Sequence, residues 1–205
     1  MTRITEKTIS LNCAGFGGES PLPKFRDQQP CQVQHAAPVG LADEEMRDIV
    51  DMGALSVLPY LEQNGYDRDR RLRDMHAVLI ENDHLRATVL PGLGGRIHSL
   101  IDKRRGQELL FANPAIQPVN IGLRNAWFSG GLEWNGGSVP GHAASSCSQV
   151  YCQEIVTDRG PIVRLYEFDR ISETAWQVDL YMPPDEGRLY VHPRIVNPND
   201  HDKLV

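Results

Sequence analysis

The chain has few cysteines and no excess of basic residues, and each shortage excludes a class of protein. Four cysteines among 205 residues are too few for the dense disulfide framework of a small secreted domain. Lysine and arginine total 21, against 27 aspartate and glutamate residues, whereas a nucleic-acid-binding surface generally requires a basic face. We therefore expect free thiols and no nucleic-acid partner.

Long apolar runs are also missing. No stretch approaches the about 20 consecutive apolar residues that a transmembrane helix needs, and the first twenty residues lack the apolar region of a signal peptide. We expect no membrane association and, by default, a cytoplasmic location. The hydrophobic fraction of 40% is that of an ordinary globular protein, so the chain can build one substantial core.

Several enzyme signatures are absent. The seven histidines are scattered, and their spacing proposes no metal site. No G-x-S-x-G sequence marks a serine hydrolase. The glycines at 92, 94 and 95 lack the third glycine of a dinucleotide-binding turn, and a strand pattern rather than a helix follows them.

Strand patterns dominate what is present. Apolar and polar residues alternate, or apolar residues cluster between turns, at 7–11, 85–89, 96–101, 108–111, 149–156, 162–168, 176–182 and 189–195. Because no helices alternate with these segments, the pattern predicts an all-β, antiparallel sandwich or barrel. One short helix is predicted at 41–50, and 59–74 is predicted to be a polar connector.

The predicted organisation is an N-terminal extension at 1–50, with a first strand and the helix, followed by a β-sandwich domain at 51–205. A strong strand pattern near 188–196 is followed by a turn and the start of another strand at the last residues. Since folded proteins protect exposed sheet edges, we expect the domain to be incomplete at its C-terminus. Either a C-terminal continuation or a partner chain would complete the sheet.

Polar and aromatic residues concentrate between positions 91 and 142, beside two glycine-rich turns. A sugar offers an apolar face to an aromatic ring and a rim of hydroxyl groups to polar side chains. Glu133 and His142 are the candidates for acid–base catalysis, since carboxyl and imidazole groups are common proton carriers. The candidate substrate contacts are Arg96, Arg124, Trp127, Trp134 and Asn135.

Each candidate has a structural alternative. Glu133 could accept hydrogen bonds from the glycine loop, and His142 could cap a turn. A tryptophan in a sandwich often belongs to the core, so we expect Trp127 or Trp134, rather than both, to form a sugar platform. Arg96 could equally form an ion pair with a nearby carboxylate.

Two segments resemble a known superfamily. Residues 76–114, HAVLIENDHLRATVLPGLGGRIHSLIDKRRGQELLFANP, resemble the N-terminal half of galactose mutarotase-like (aldose 1-epimerase superfamily) domains. There a strand, a glycine turn and GGRI lead into a strand that ends in an Asp-Lys turn. Residues 121–142, IGLRNAWFSGGLEWNGGSVPGH, are similar to an uncharacterised branch that often precedes tetratricopeptide repeats.

The resemblance implies an antiparallel β-supersandwich, of which this chain is the N-terminal portion, with a mono- or oligosaccharide ligand and no cofactor. In that superfamily a Glu and a His interconvert sugar anomers by opening and reclosing the ring. By position, His142 resembles a substrate-contacting His and Arg96 a pocket-lining Arg, while the family's catalytic Glu is expected beyond residue 205. The alternatives are a non-catalytic carbohydrate-binding module and a glycoside-processing domain.

Overall fold

A computed structural model of the chain describes residues 1–15, 66–119, 129–136, 142–170 and 172–202. Within these residues ten strands and two short 3-10 helices are formed. The strands are β1 (Arg3–Cys13), β2 (Arg71–Glu81), β3 (Leu85–Leu90), β4 (Arg96–Asp102), β5 (Gln107–Glu108), β6 (Ala115–Ile116), β7 (Tyr151–Thr157), β8 (Gly160–Asp169), β9 (Thr174–Tyr181) and β10 (Tyr190–Val196). The 3-10 helices span Pro91–Leu93 and Ala144–Cys147.

The first sheet has the strand order β5-β4-β3-β2-β1-β6. Its longest pairing joins β1 and β2 in antiparallel register from Arg3 opposite Glu81 to Cys13 opposite Arg71. The pairing of β1 with β6 is parallel, and the other neighbours are antiparallel. A bulge interrupts the β3–β4 register between Thr88 and Val89, next to the end of β4 that holds the candidate site.

The second sheet is an antiparallel meander in the order β10-β9-β8-β7. Burial alternates along β9, where Trp176, Val178 and Leu180 are buried and the intervening residues are partly exposed. Alternation of this kind arises where one face of a sheet covers a core and the other faces solvent. The second sheet therefore supplies one inner and one outer face.

The core lies between the two sheets. Apolar side chains of the first sheet meet those of the second in one cluster, which includes Val78, Ile80, Ala87, Val89, Ile97, Val163, Leu165, Trp176, Val178 and Leu180. A second cluster contains Met75, Ala77 and Leu79 of β2 together with Cys13, Leu90, Leu93 and Cys147. Strand β2 is thus buried on both faces at 77–80, in agreement with its continuous apolar run. The protein is an all-β sandwich, as predicted.

Some sequence predictions differ from the structure. The connector predicted at 59–74 was wrong over its last four residues, because β2 already begins at Arg71. The strand predicted at 108–111 extends only from Gln107 to Glu108, and the two-residue β6 was not predicted. The helix predicted at 41–50 lies outside the described residues. In the ranges given above, no helix is long and apolar enough to cross a membrane.

Candidate functional site

The turn between β3 and β4 places Arg96 at the start of β4. The Gly95 amide donates to the carbonyl of Leu90 at 3.1 Å, which closes the turn, and the Gly94 amide donates to the carbonyl of Ser148 at 2.8 Å. A side chain at Gly94 would collide with the backbone of Ser145 and Ser146. The glycine turn therefore allows residues 142–150 to lie directly beside Arg96.

A second segment, 129–136, docks on β4 from another part of the chain. The Ile97 amide donates to Leu132 O at 3.0 Å, and the Leu132 amide returns a bond to Ile97 O at 2.9 Å. The Gly131 amide also donates to Phe111 O at 2.9 Å. These backbone bonds place Glu133 next to Arg96.

Four predicted site residues come together, and we call them the polar cluster: Arg96, Glu133, Asn135 and His142. Nη2 of Arg96 lies 2.8 Å from Oε2 of Glu133, and Nη1 of Arg96 donates to the carbonyl of Gly130. Oε1 of Glu133 contacts Nδ1 of His142 and accepts a bond from Nδ2 of Asn135 at 3.3 Å. Asn135 Oδ1 in turn accepts the Ala143 amide at 3.0 Å.

Exposure rises through the cluster from the interior to the surface. The side chains of Arg96, Glu133 and His142 are 3%, 14% and 21% exposed, respectively. Burial lowers the pKa of the Arg96 guanidinium, and the Glu133 charge opposes that effect. The buried cation is thus compensated by the carboxylate, and His142 is the most exposed of the three.

Trp134 joins the cluster to the glycine turn. Its Nε1–H donates to the carbonyl of Gly95 at 2.9 Å, and its partly buried ring packs against the inter-sheet core. The bond joins the residue that follows Glu133 to the residue that precedes Arg96. The other two predicted contacts, Arg124 and Trp127, lie outside the described residues.

Three residues near the cluster, Cys147, His98 and Trp176, were not predicted as site residues. The buried Cys147 thiol lies within electrostatic range of Arg96 and Glu133, and burial raises its pKa. Burial lowers the pKa of His98. The charge of Glu108 opposes this shift, and the charge of Arg96 adds to it. A side chain at Gly136 would collide with the indole of Trp176, so this ring supports the end of the 129–136 segment. In the sequence, only the glycine at 136 could have indicated that this segment lies close to the Trp176 ring.

The outer face of the second sheet carries a separate open cleft of about 740 Å³. Cross-strand neighbours Tyr151 and Tyr166 stack there, with ring centroids 5.1 Å apart and an interplanar angle of 12°. Beside them Arg164 and Asp179 form two bonds of 2.7 Å each. The cleft thus combines exposed aromatic rings with fixed polar groups.

In the described part of the chain, no group of three or more His, Cys, Asp and Glu side chains is placed to hold a metal ion. The cysteines among those residues, Cys13, Cys147 and Cys152, are free thiols. The chemistry that the polar cluster itself offers is hydrogen bonding, charge compensation and proton transfer.

Fold and site together define an all-β sandwich with a largely buried Arg–Glu–His cluster at the start of one strand. The family model described as "Domain of unknown function (DUF5107)" matches residues 53–203, and the chain belongs to this family. The structure is similar to that of a TPR-domain containing protein from Parabacteroides distasonis ATCC 8503, with a TM-score of 0.69 and 18% sequence identity. The similarity covers 97% of this chain and 30% of that one, so the chain spans about a third of that protein's length.

Proposed function

We propose that the protein is a galactose mutarotase-like, carbohydrate-binding protein whose polar cluster contacts the hydroxyl groups of an aldose or of a glycan end. The observation that carries the proposal is the hydrogen-bonded chain from Arg96 through Glu133 to His142, which runs from the interior toward solvent. Fixed donors and acceptors of this kind suit a ligand with several hydroxyl groups.

The proposed reaction is the interconversion of sugar anomers. Opening the ring requires removal of the proton from the anomeric hydroxyl and delivery of a proton to the ring oxygen. Imidazole and carboxyl groups are suited to such transfers near neutral pH. The cluster supports the proposal because it holds one group of each kind, Glu133 and His142, in contact.

Calorimetric titration with galactose, glucose and short oligosaccharides tests binding, and polarimetry of a fresh α-anomer tests catalysis. We expect His142→Ala to weaken binding about tenfold, the loss of one good hydrogen bond to the ligand, and to abolish catalysis. His76→Ala is the matched control, since His76 is an exposed histidine on β2, in the body of the first sheet. Equal affinities and rates in parent and His142→Ala would overturn the assignment.

The second candidate is a non-catalytic carbohydrate-binding module. The outer cleft favours it, because Tyr151 is 61% and Tyr166 38% exposed and aromatic rings beside fixed polar groups suit sugar binding. In that case Tyr166→Ala would weaken sugar binding about tenfold, while His142→Ala would leave it unchanged. The opposite pattern would place the sugar at the polar cluster.

A further inference from the structure

The two oxygens of Glu133 are both engaged by the protein itself. Oε2 pairs with Arg96 at 2.8 Å, and Oε1 contacts Nδ1 of His142 and the Asn135 amide. Arg96 is in turn fixed through the Gly130 carbonyl. A carboxylate held in this way would have to give up an ion pair or a hydrogen bond before it could take a proton from a ligand.

The same contacts determine the state of Nδ1 in His142. A neutral imidazole carries its proton on one ring nitrogen and a lone pair on the other, whereas a carboxylate offers only acceptors. The contact with Glu133 therefore requires the hydrogen to be on Nδ1. When the ring is neutral, it is then the Nδ1–H tautomer.

We infer that Glu133 is a positioning residue, held by Arg96 and Asn135, that keeps Nδ1 of His142 protonated and so fixes the tautomer in which His142 takes part in the proposed reaction. The inference deepens the proposed function, takes its ligand from it and gives Glu133 a positioning role in place of a proton-transfer role.

The tautomer of His142 is measurable without any ligand. Long-range proton–nitrogen NMR correlations of the ¹⁵N-labelled chain, recorded at a pH high enough to deprotonate the imidazolium, distinguish the two neutral forms. The His142 signals are assigned by their loss in His142→Gln. We expect the Nδ1–H pattern in the parent protein. An Nε2–H pattern in the parent would overturn the inference, and the pattern itself is read in the parent protein.

Glu133→Gln provides the second measurement. The carboxamide oxygen should turn toward the donors of Arg96, which leaves the NH₂ group to donate to Nδ1 of His142. The imidazole must then carry its proton on Nε2, so we expect the NMR pattern to invert. The matched control is Glu154→Gln, an exposed glutamate on β7, which should leave the pattern unchanged. A retained Nδ1–H pattern in folded Glu133→Gln would contradict the positioning role.

Sugar measurements on the same samples separate this inference from the proposed function. If the tautomers behave as expected and sugars neither bind nor mutarotate, the proposed function is overturned and the positioning of His142 by Glu133 is supported. If sugars do react, we expect Glu133→Gln to lower kcat about a hundredfold, within the range typical for general acid–base catalysis, and to change KM by less than tenfold. A kcat equal to that of the parent would overturn the role of Glu133.

Discussion

Nη2 of Arg96 lies 2.8 Å from Oε2 of Glu133, although 37 positions of sequence separate the two residues. The contact joins the first residue of β4 to the segment that docks on it, and the Arg96 side chain is only 3% exposed. Breaking a buried pair leaves one uncompensated charge, which is costly, whereas replacing both partners with apolar residues often is not. Substitutions in this pair therefore measure how much the polar cluster contributes to the stability of the protein.

We expect Arg96→Met to lower the free energy of unfolding by about 3 kcal/mol, because the buried Glu133 charge would lose the cation that compensates it. The double variant Arg96→Met with Glu133→Leu should recover most of that loss. Urea denaturation followed by circular dichroism measures both. The control is Arg164→Ala, which breaks an ion pair whose arginine is 33% exposed and should cost about 0.5 kcal/mol. Equal losses in Arg96→Met and Arg164→Ala would contradict the expectation.

Gly131 should tolerate no side chain. Its φ of 69° is in the left-handed region, and a methyl group there would collide with the carbonyl of Ile97. Gly106 has a similar φ of 62° with open space around it, so it isolates the backbone cost. We expect Gly106→Ala to cost about 1 kcal/mol and Gly131→Ala on the order of 4 kcal/mol in urea denaturation. Equal costs would mean that the docked segment yields to the added methyl group.

Strands with one face on the core were predictable from their alternating sequence. Strands that form only because they pair with a segment distant in sequence were not. The alternation around Trp176 and Val178 reports a half-buried face, which the structure has in β9. The start of β2 at Arg71 carries no such pattern, since its first residues are polar or exposed and are ordered by pairing with β1. Strand β6 exists because two residues pair with the end of β1, and a two-residue pattern predicts nothing.

The residues of the polar cluster were predictable, but their roles were not. The spacing of Arg96, Glu133, Asn135 and His142 gave no distances, so an ion pair between Arg96 and a carboxylate stayed an alternative to ligand binding. Arg96 pairs with Glu133 because the β-bridge between Ile97 and Leu132 brings their neighbours together. No local sequence pattern predicts that bridge. Sugar binding and catalysis remain predictions that the experiments above address.

The stability of the β1–β2 pairing should depend on pH through Glu81. The pKa of this carboxyl is lowered, first by a hydrogen bond from Arg3 and then by Lys103, against the effect of burial. A carboxyl with a depressed pKa contributes stability that is present above its unfolded-state pKa and is lost as the pH falls through the folded-state value. We therefore expect Arg3→Ala to lower the melting temperature at pH 7 and to have no effect at about pH 2.

A series of thermal melts between these two pH values measures that difference. In a Glu81→Gln background the effect of Arg3→Ala should be the same at every pH, because the titrating partner is gone. A pH-independent effect of Arg3→Ala in the parent background would show that Arg3 acts on stability through packing rather than through the carboxyl charge.

The thiols of Cys13, Cys147 and Cys152 should be unreactive in the folded protein. Burial raises the pKa of Cys13 to about 11 and that of Cys152 to about 12, and it also raises the pKa of Cys147. Since the thiolate is the reactive form, labelling by a disulfide reagent at pH 8 should be at least about 100-fold slower in the folded than in the urea-unfolded chain. Cys31→Ser removes the fourth thiol from the assay. Rapid labelling of the folded Cys31→Ser protein would mean that at least one of the apolar clusters that cover these thiols opens readily to solvent.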